Sequence, residues 1–241
     1  MPVAPTHTPL LNIQIGGITP LTSTDFPGCL AAVLFCQGCP WRCGYCHNPH
    51  LIPRHGNNPL EWPAVISFLR RRSGLLDAVV FSGGEPTLQD GLKQAIAEVR
   101  ALGFKIGLHT GGSYPARLAG LLPLLSWVGM DIKAPFTDYG KVTGTPASGE
   151  KARESALLLL ASGVPYEFRT TVHPLYHTPD SLLQLAEELQ QLGAKRYLLQ
   201  EFRSRGCADE TVNLHSAREL LDDAVCGRIG AMFENFSVRR A

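Results

Sequence analysis

The stretch LAAVLFCQGCPWRCGYCHN, residues 30–48, decides the fold of this 241-residue chain. It joins an apolar run at residues 30–35 to a loop that holds four of the chain's seven cysteines. A short, continuously apolar run beside a turn-rich segment is typical of a strand that is buried on both faces. The sequence therefore predicts a central strand whose carboxyl end carries a cluster of thiols.

Five more apolar or β-branched runs follow, separated by segments with helical spacing. These predicted strands are DAVVFS (77–82), FKIGLH (104–109), WVGMDI (127–132), YEFRTTV (166–172) and RYLLQEF (196–202). Alternating strands and helices indicate an α/β fold with a parallel sheet. Six units are too few for a closed eight-unit barrel, so we predict a partial (β/α)6 barrel of the TIM type, with an open doubly wound sheet as the alternative.

We expect a single domain in three parts. Residues 30–205 form the barrel, residues 1–29 are an N-terminal extension, and residues 206–241 are a C-terminal extension packed on the barrel. The formal net charge of +1 offers no electrostatic case for nucleic acid or an acidic membrane surface. Apolar runs fall short of the roughly 18 residues that a bilayer requires.

Composition and cysteine usage favour a reducing compartment. Residues 1–12 lack a basic start followed by an apolar run, so we expect no secretory signal and a cytoplasmic location. An odd number of cysteines, four of them crowded together, argues against a disulfide framework.

Polar or small residues stand at the carboxyl ends of the predicted strands, where α/β barrels collect their functional residues. They are the Cys36–Cys46 loop, Ser82 to Glu85, His109 and Thr110, Asp131 to Lys133, Thr171 to His173, and Gln200 with Glu201.

Four close thiols can hold zinc or an iron–sulfur cluster. Structural zinc sites usually draw two cysteine pairs from separated segments, whereas these pairs are only three residues apart. The pattern Cys39-x3-Cys43-x2-Cys46 would leave one iron of a four-iron cluster without a protein ligand. An open metal position is typical of a catalytic site.

Three motifs together resemble those of the radical S-adenosylmethionine (SAM) superfamily. They are CPWRCGYC (39–46), GGEP (83–86) after the second predicted strand, and DIK (131–133) after the fourth. YCHNP (45–49) and GGITPLTSTDFPG (16–28) are similar to the glycyl-radical-enzyme activating proteins, and among these to the activators of anaerobic ribonucleoside-triphosphate reductase. The resemblance covers roughly residues 12–205.

This resemblance implies a set of cofactor contacts. Cys39, Cys43 and Cys46 would ligate a [4Fe-4S] cluster, whose open iron would chelate the amino and carboxylate groups of SAM. Cys36 would be spare, and we expect it to be a small buried residue.

The other residues that the resemblance assigns to the cofactors belong to three short segments. Gly83, Gly84 and Glu85 would meet the SAM amino group through their backbone and the carboxylate. Asp131 and Lys133, two apart on one strand end and so pointing the same way, would lie near the ribose and carboxylate. Tyr45 and His47 would pack near the cluster and adenine.

The implied activity is reductive cleavage of SAM with an electron from a flavodoxin or ferredoxin. The resulting 5′-deoxyadenosyl radical would take a hydrogen from a glycine of a partner enzyme, with anaerobic ribonucleotide reductase as the expected partner. The resemblance implies no catalytic side chain beyond the cluster and SAM.

Two alternatives stay open. One is a radical SAM enzyme acting on a small molecule, such as a 7-carboxy-7-deazaguanine synthase. The other is a non-enzymatic module in which Cys36, Cys39, Cys43 and Cys46 hold zinc, which leaves GGEP and DIK unexplained.

Several residues have simpler interpretations. We expect His50, His173 and His177 to be polar loop residues, and the isolated Cys29, Cys207 and Cys226 to be packing residues or surface thiols. Arg169, inside the fifth predicted strand, could reach the site or form an ion pair within the barrel.

Overall fold

One eight-stranded sheet organises the computed structural model, which describes residues 11–241. The strands lie side by side in chain order. They are β1 (Ile15–Thr22), β2 (Ala31–Cys36), β3 (Ala78–Gly83), β4 (Lys105–Thr110), β5 (Trp127–Asp131), β6 (Tyr166–Val172), β7 (Arg196–Glu201) and β8 (Asn235–Arg239). Residues 1–10, most of the segment in which the sequence predicts no secretory signal, lie outside the described part.

The predicted parallel α/β fold is confirmed. Strands β2 to β7 are the six predicted strands, and each observed end lies within one residue of its predicted position. Neighbours from β2 onward pair in parallel, while β1 pairs with β2 in antiparallel fashion. Because the strand order within residues 11–241 never reverses, this part of the chain has no topological switch point, and the doubly wound alternative is wrong.

The predicted number of strands was too small. Strands β1 and β8 lie in the two segments that we expected to be extensions, and they form the edges of the sheet. Gly16, Gly17 and Pro20 give β1 a composition that is poor in strand formers. β8 has five residues and alternates between exposed and half-buried positions, which is a weak signal over so short a run.

Helices pack around the sheet between successive strands. They are α1 (Trp62–Arg70), α2 (Leu92–Ala101), α3 (Pro115–Leu121), α4 (Tyr139–Thr143), α5 (Ser148–Ser162), α6 (Pro179–Gln191), α7 (Glu210–Asn213) and α8 (Asp223–Gly230). Helix α6 begins at a capped turn, because the Thr178 hydroxyl accepts the Ser181 N–H and Pro179 occupies the first turn. Across residues 11–241, none of these helices combines the length and the apolar character needed to span a bilayer.

Alternate residues of β2 face two different cores. Ala32 and Leu34 belong to the large core shared with the helices, whereas Ala31 and Val33 belong to a small cluster inside the curved sheet. Phe26, from the loop between β1 and β2, joins this inner cluster and packs against Trp127 with the ring centroids 5.6 Å apart.

This inner cluster fills the interior of the partial barrel at the amino ends of the strands. A Cβ atom on Gly107 would lie 3.0 Å from the Phe26 ring, so a glycine lets the ring fit against β4. The carboxyl ends of the strands are left as the mouth of the barrel.

Candidate functional site

A cavity of about 200 Å³ opens at the carboxyl ends of the strands. It brings together all ten residues that the sequence predicted for the cofactor site: Cys39, Cys43, Tyr45, Cys46, His47, Gly83, Gly84, Glu85, Asp131 and Lys133. They come from the loop after β2 and from the ends of β3 and β5. Residues from three separate segments of the chain therefore face one cavity.

The cysteine loop is fixed at its base by backbone hydrogen bonds. The Gly38 N–H donates to the Leu51 carbonyl at 2.7 Å, and the Cys39 N–H donates to the Ile52 carbonyl at 3.1 Å. The buried Gln37 amide donates to the carbonyls of His50 and Pro53. These bonds close residues 37–53 into a compact loop over the mouth.

Three thiols face the cavity, and the fourth does not. Cys39, Cys43 and Cys46 are half-buried and line it, whereas Cys36 is fully buried in the large core at the end of β2. The expectation that Cys36 is a buried packing residue is confirmed. The zinc alternative required all four thiols at one site, and this arrangement does not provide them.

Burial raises the pKa of two of these thiols in the unliganded protein. It raises the pKa of Cys39 to about 12, and it raises the pKa of Cys43 although Lys133 acts in the opposite direction. A coordinated metal deprotonates such thiols, because the thiolate is the binding form. Three thiols around one cavity fit a cluster with three protein ligands and one open iron.

Tyr45 lies between two of these cysteines and is 4% exposed. Its ring packs edge-on against Tyr176 at 5.5 Å, and the Lys133 ammonium lies 6.0 Å from its centroid. Within residues 11–241, its buried hydroxyl has no hydrogen-bond partner. Tyr45 therefore packs the wall of the cavity between Cys43 and Cys46.

His47 is held by the segment that follows β7. Its ring stacks on Phe202 at 5.4 Å, and its Nε2–H donates to the Arg203 carbonyl at 2.7 Å. Burial lowers the pKa of His47, so the ring is neutral near pH 7. The hydrogen bond fixes the tautomer and leaves Nδ1 as an acceptor.

The two glycines at the carboxyl end of β3 are required by packing within the protein. Gly83 has φ +117°, and a Cβ there would lie 2.4 Å from the Cys36 nitrogen. A Cβ on Gly84 would lie 2.3 Å from the Gly38 oxygen. The Glu85 N–H donates to that same oxygen at 2.8 Å, so this turn is pressed directly against the base of the cysteine loop.

The Glu85 carboxylate already accepts hydrogen bonds from donors within the protein. It accepts from the Thr87 N–H at 3.0 Å, the Thr110 hydroxyl at 2.8 Å and the Gly111 N–H at 2.9 Å. Burial raises the pKa of Glu85, and these hydrogen bonds oppose the rise. The carboxylate therefore ties the ends of β3 and β4 together. The N–H groups of Gly84 and Glu85 donate to the carbonyls of Cys36 and Gly38, so an amino group of a ligand would meet this turn through carbonyl oxygens.

Asp131 and Lys133 point the same way, as their spacing on the strand predicted. The Lys133 Nζ lies 3.4 Å from Asp131 Oδ2, and Arg169 contacts the other carboxylate oxygen at 3.0 Å through Nη2. Burial alone would raise the pKa of Asp131, but Lys133 and Arg169 lower it to about 2. Asp131 in turn raises the pKa of Lys133. All three side chains are charged at neutral pH.

Arg169 fulfils both roles that the sequence left open, since it pairs with Asp131 and also lines the cavity. His109 lies beside it, with Nε2 3.2 Å from Arg169 Nη1 and Nδ1 3.3 Å from the Ser82 hydroxyl. Burial and then Arg169 lower the pKa of His109 to about 3.

The position of Ser82, His109, Thr110 and Thr171 at strand ends predicted their place at the mouth of the barrel, and all four line the cavity. Sequence reasoning missed Gly111 and Ile52, which line it as well and belong to no recognised motif.

His50, His173 and His177, which we expected to be polar loop residues, do not line the cavity. The fully buried His173 ring contacts the Val212 carbonyl through Nε2 at 3.0 Å, and His177 Nε2 contacts the Lys133 carbonyl at 2.8 Å. His50 is exposed. His177 therefore positions the backbone beside a cavity residue.

Comparison with known proteins identifies the family. Residues 33–189 match the model of the radical SAM superfamily. The chain belongs to the radical SAM superfamily. Members of this superfamily use a [4Fe-4S] cluster and SAM, and these are the cofactors of this protein.

Two radical SAM relatives have names that bear on activity. MJ1227 of Methanocaldococcus jannaschii, whose name assigns it provisionally to the glycyl-radical enzyme activating enzymes, is 30% identical over 212 residues. That match spans 83% of this chain and 84% of the relative. The pyruvate formate-lyase-activating enzyme of Clostridium pasteurianum is 31% identical over 142 residues, which span 56% of this chain and 59% of the relative.

A solved radical SAM structure shares the fold. SuiB of Streptococcus suis, in its crystal structure bound to S-adenosylmethionine, superposes with a TM-score of 0.63 at 13% sequence identity. The superposition covers 85% of this chain and 48% of SuiB.

Proposed function

We propose that this radical SAM protein is an activase that generates a glycyl radical on a partner enzyme. The observation that carries the proposal is the match to MJ1227, which extends over most of both chains. The shorter match to a pyruvate formate-lyase-activating enzyme supports the same activity. Both relatives bear names from the class of protein that the motifs at residues 16–28 and 45–49 resemble.

Cys39, Cys43 and Cys46 are the proposed ligands of the cluster. Support comes from their shared position around one cavity and from the burial of Cys36 in the core. When bound and reduced, a [4Fe-4S] cluster supplies the electron that cleaves SAM to methionine and a 5′-deoxyadenosyl radical. The protein's contribution is to bind and orient SAM and to exclude water.

The remaining cavity residues form the proposed SAM site. The backbone of residues 83–85 meets the SAM amino group, and the Lys133 ammonium pairs with its carboxylate. Asp131, held ionised by Lys133 and Arg169, accepts hydrogen bonds from the ribose hydroxyls. Tyr45 and His47 line the side of the cavity beside the cluster and adenine.

Anaerobic ribonucleotide reductase is the proposed partner, and a flavodoxin or ferredoxin in the cytoplasm is the proposed electron donor. The support is the resemblance at residues 16–28 and 45–49. Phe26 belongs to the first of these motifs and packs at the base of the barrel, so this residue of the motif stabilises the fold. The support for the partner is therefore the sequence resemblance alone, and the assay below tests it directly.

The experiment is an anaerobic activation assay. The protein is reconstituted with iron and sulfide, reduced, and mixed with SAM and purified anaerobic ribonucleotide reductase. We expect a glycyl radical doublet on the reductase by electron paramagnetic resonance, and none when the Cys43→Ala variant replaces the wild type. If no glycyl-radical enzyme gains the doublet while a small heterocycle is turned over, the small-molecule alternative is correct.

A further inference from the structure

Three buried side chains hold the backbone at the carboxyl end of β5. Each of them donates a hydrogen bond to one of the successive carbonyls of Asp131, Ile132 and Lys133. In that order, the donors are the Tyr139 hydroxyl at 3.2 Å, the Thr170 hydroxyl at 2.6 Å and the His177 Nε2–H at 2.8 Å from the carbonyl oxygen. The segment that carries the DIK motif is therefore held at every residue.

The three donors belong to separate parts of the fold. Tyr139 begins α4, Thr170 lies in β6, and His177 lies in the loop between β6 and α6. Two of them are themselves fixed from behind, because the Thr170 hydroxyl accepts the Tyr197 hydroxyl at 2.8 Å and the His177 Nδ1 accepts the His173 N–H at 3.1 Å. The second of these bonds places the imidazole proton on Nε2. Donors with a fixed orientation leave the carbonyls that they bind little freedom to turn.

The backbone that they hold carries two charged side chains of the cavity. Asp131 and Lys133 line the cavity, whereas Ile132 between them is fully buried in the large core. Because alternate residues of an extended backbone point the same way, a turn of this segment would displace both charged groups together. A site binds its ligand more tightly when the groups that meet the ligand need no reordering on binding.

We propose that Tyr139, Thr170 and His177 are positioning residues for SAM, which act through Asp131 and Lys133. The proposal rests on the SAM site described under the proposed function, in which these two side chains meet the ribose and the carboxylate. The three donors do not line the cavity, so their effect on SAM is transmitted by the backbone. They take no part in bond breaking.

Tyr139→Phe tests the first donor, because it removes the hydroxyl and keeps the ring that stacks on Phe136 and packs edge-on against Trp41. Tyr166→Phe is the matched control. The Tyr166 hydroxyl accepts the Lys195 N–H at 2.9 Å, at the amino ends of β6 and β7 and so at the opposite end of the barrel. Each variant therefore loses one hydrogen bond between a tyrosine hydroxyl and the backbone.

His177→Asn and His177→Gln separate the two contacts of the imidazole. The asparagine amide reaches the place of Nδ1, so it keeps a partner for the His173 N–H and has no donor at the Lys133 carbonyl. The longer glutamine amide reaches the place of Nε2 and can donate to that carbonyl. Tighter SAM binding by the glutamine variant than by the asparagine variant therefore reports the bond to Lys133.

The proteins are reconstituted in parallel, and their iron content and their SAM affinity are measured. Thermal unfolding and hydrogen–deuterium exchange of the backbone at residues 131–133 are recorded on the cluster-free proteins. We expect Tyr139→Phe and His177→Asn to bind as much iron as the wild type and to bind SAM about two- to tenfold more weakly, the range for loss of one hydrogen bond. Exchange at residues 131–133 should be faster in both.

The two controls should behave differently. Tyr166→Phe should keep wild-type SAM affinity and wild-type exchange at residues 131–133, even where its unfolding temperature falls as far as that of Tyr139→Phe. His177→Gln should recover most of the SAM affinity that His177→Asn loses. If His177→Asn does not fold, Tyr139→Phe and its control decide the question.

Three results overturn the positioning role and leave the activase proposal standing. Wild-type SAM affinity in Tyr139→Phe, with a lower unfolding temperature, means that the donors only stabilise the fold. Unchanged exchange at residues 131–133 means that they do not hold this backbone. An equal loss of SAM affinity in Tyr166→Phe means that the loss follows general destabilisation.

Failure of the proposed function has a different signature. If the wild type binds SAM and the variants behave as expected, but no glycyl-radical enzyme gains a radical, the activase proposal fails and the positioning role stands. If the wild type with a full cluster does not bind SAM, the proposed SAM site and the positioning role fail together.

Discussion

Arg169 holds Asp131 through two nitrogens, with Nη2 at 3.0 Å and Nε at 3.1 Å from the same carboxylate oxygen. Lys133 contacts the other oxygen at 3.4 Å. The two cations lie on opposite sides of one carboxylate at the mouth of the barrel. This arrangement fixes the Asp131 side chain in its ionised form before any ligand arrives.

Replacing Arg169 by Gln removes one of these cations. We expect the free energy of unfolding near pH 7 to fall by about 1–3 kcal/mol, the usual cost of losing a charged hydrogen-bond partner. Because Arg169 lowers the pKa of Asp131, its stabilising effect is complete above the ordinary pKa of 3.8 and is lost as the pH falls toward about 2. The difference between variant and wild type should therefore shrink over that range.

Urea unfolding at a series of pH values measures this effect. Lys141→Gln is a suitable control, because Lys141 pairs with Asp138 at the surface and its side chain is 75% exposed. Such exposed pairs contribute little to stability. A constant difference between Arg169→Gln and wild type from pH 5 to pH 2 would disprove the coupling to Asp131.

The cysteines should divide into three ligands and one packing residue. We expect Cys39→Ala, Cys43→Ala and Cys46→Ala each to lose iron and SAM cleavage. Cys36→Ala should keep both and lose only about 1 kcal/mol of stability, because it removes one buried atom from the core. Iron analysis after anaerobic reconstitution gives the answer, and a Cys36→Ala protein without iron would refute the ligand assignment.

Lys133 should contribute to SAM binding without holding the cluster. Loss of a buried charged partner costs about 1.5–3 kcal/mol, so Lys133→Ala should weaken SAM binding roughly ten- to a hundred-fold with iron content unchanged. We expect Asp131→Ala to behave similarly. Equilibrium dialysis with labelled SAM measures the affinity, with Lys141→Ala as the surface control. Wild-type affinity in both cavity variants would exclude this pair from the SAM site.

Gly84 should not tolerate even a methyl group. Its Cβ would lie 2.3 Å from the Gly38 oxygen, and backbone on both sides limits relaxation. We expect Gly84→Ala to cost about 1–3 kcal/mol and to impair cluster uptake, because it separates the two loops. Gly120→Ala is the matched control, since no atom of residues 11–241 lies within 4 Å of its Cβ position in helix α3. There alanine should stabilise by about 0.5–1 kcal/mol. Equal melting temperatures for the two variants would contradict this explanation.

The sequence predicted the central strands and the main cavity residues for identifiable physical reasons. Buried parallel strands are continuously apolar, and polar residues at their carboxyl ends must meet at one mouth. The edge strands β1 and β8 were not predicted. Glycine and proline weaken the strand signal of β1, and short length weakens that of β8. These are properties of edges, where only one neighbouring strand supports the pairing.

Within the site, the sequence predicted which residues line the cavity better than it predicted their hydrogen-bond and ion-pair contacts. It located Glu85 at the cavity, but not that Thr87, Thr110 and Gly111 already occupy its carboxylate. It left Arg169 undecided because its partner, Asp131, belongs to a neighbouring strand 38 residues away in the chain. Contacts of this kind depend on strand register and side-chain orientation, which a single sequence does not encode locally.

The origin of the hydrogen that ends up in 5′-deoxyadenosine tests the central proposal most directly. Anaerobic ribonucleotide reductase is prepared with α-deuterated glycine and incubated with the reconstituted protein, a reductant and SAM. If the protein is its activase, the 5′-deoxyadenosine formed carries deuterium, in proportion to the glycyl radical that appears on the reductase. 5′-Deoxyadenosine that forms at the same rate with and without the reductase, and carries no deuterium, would contradict the proposal.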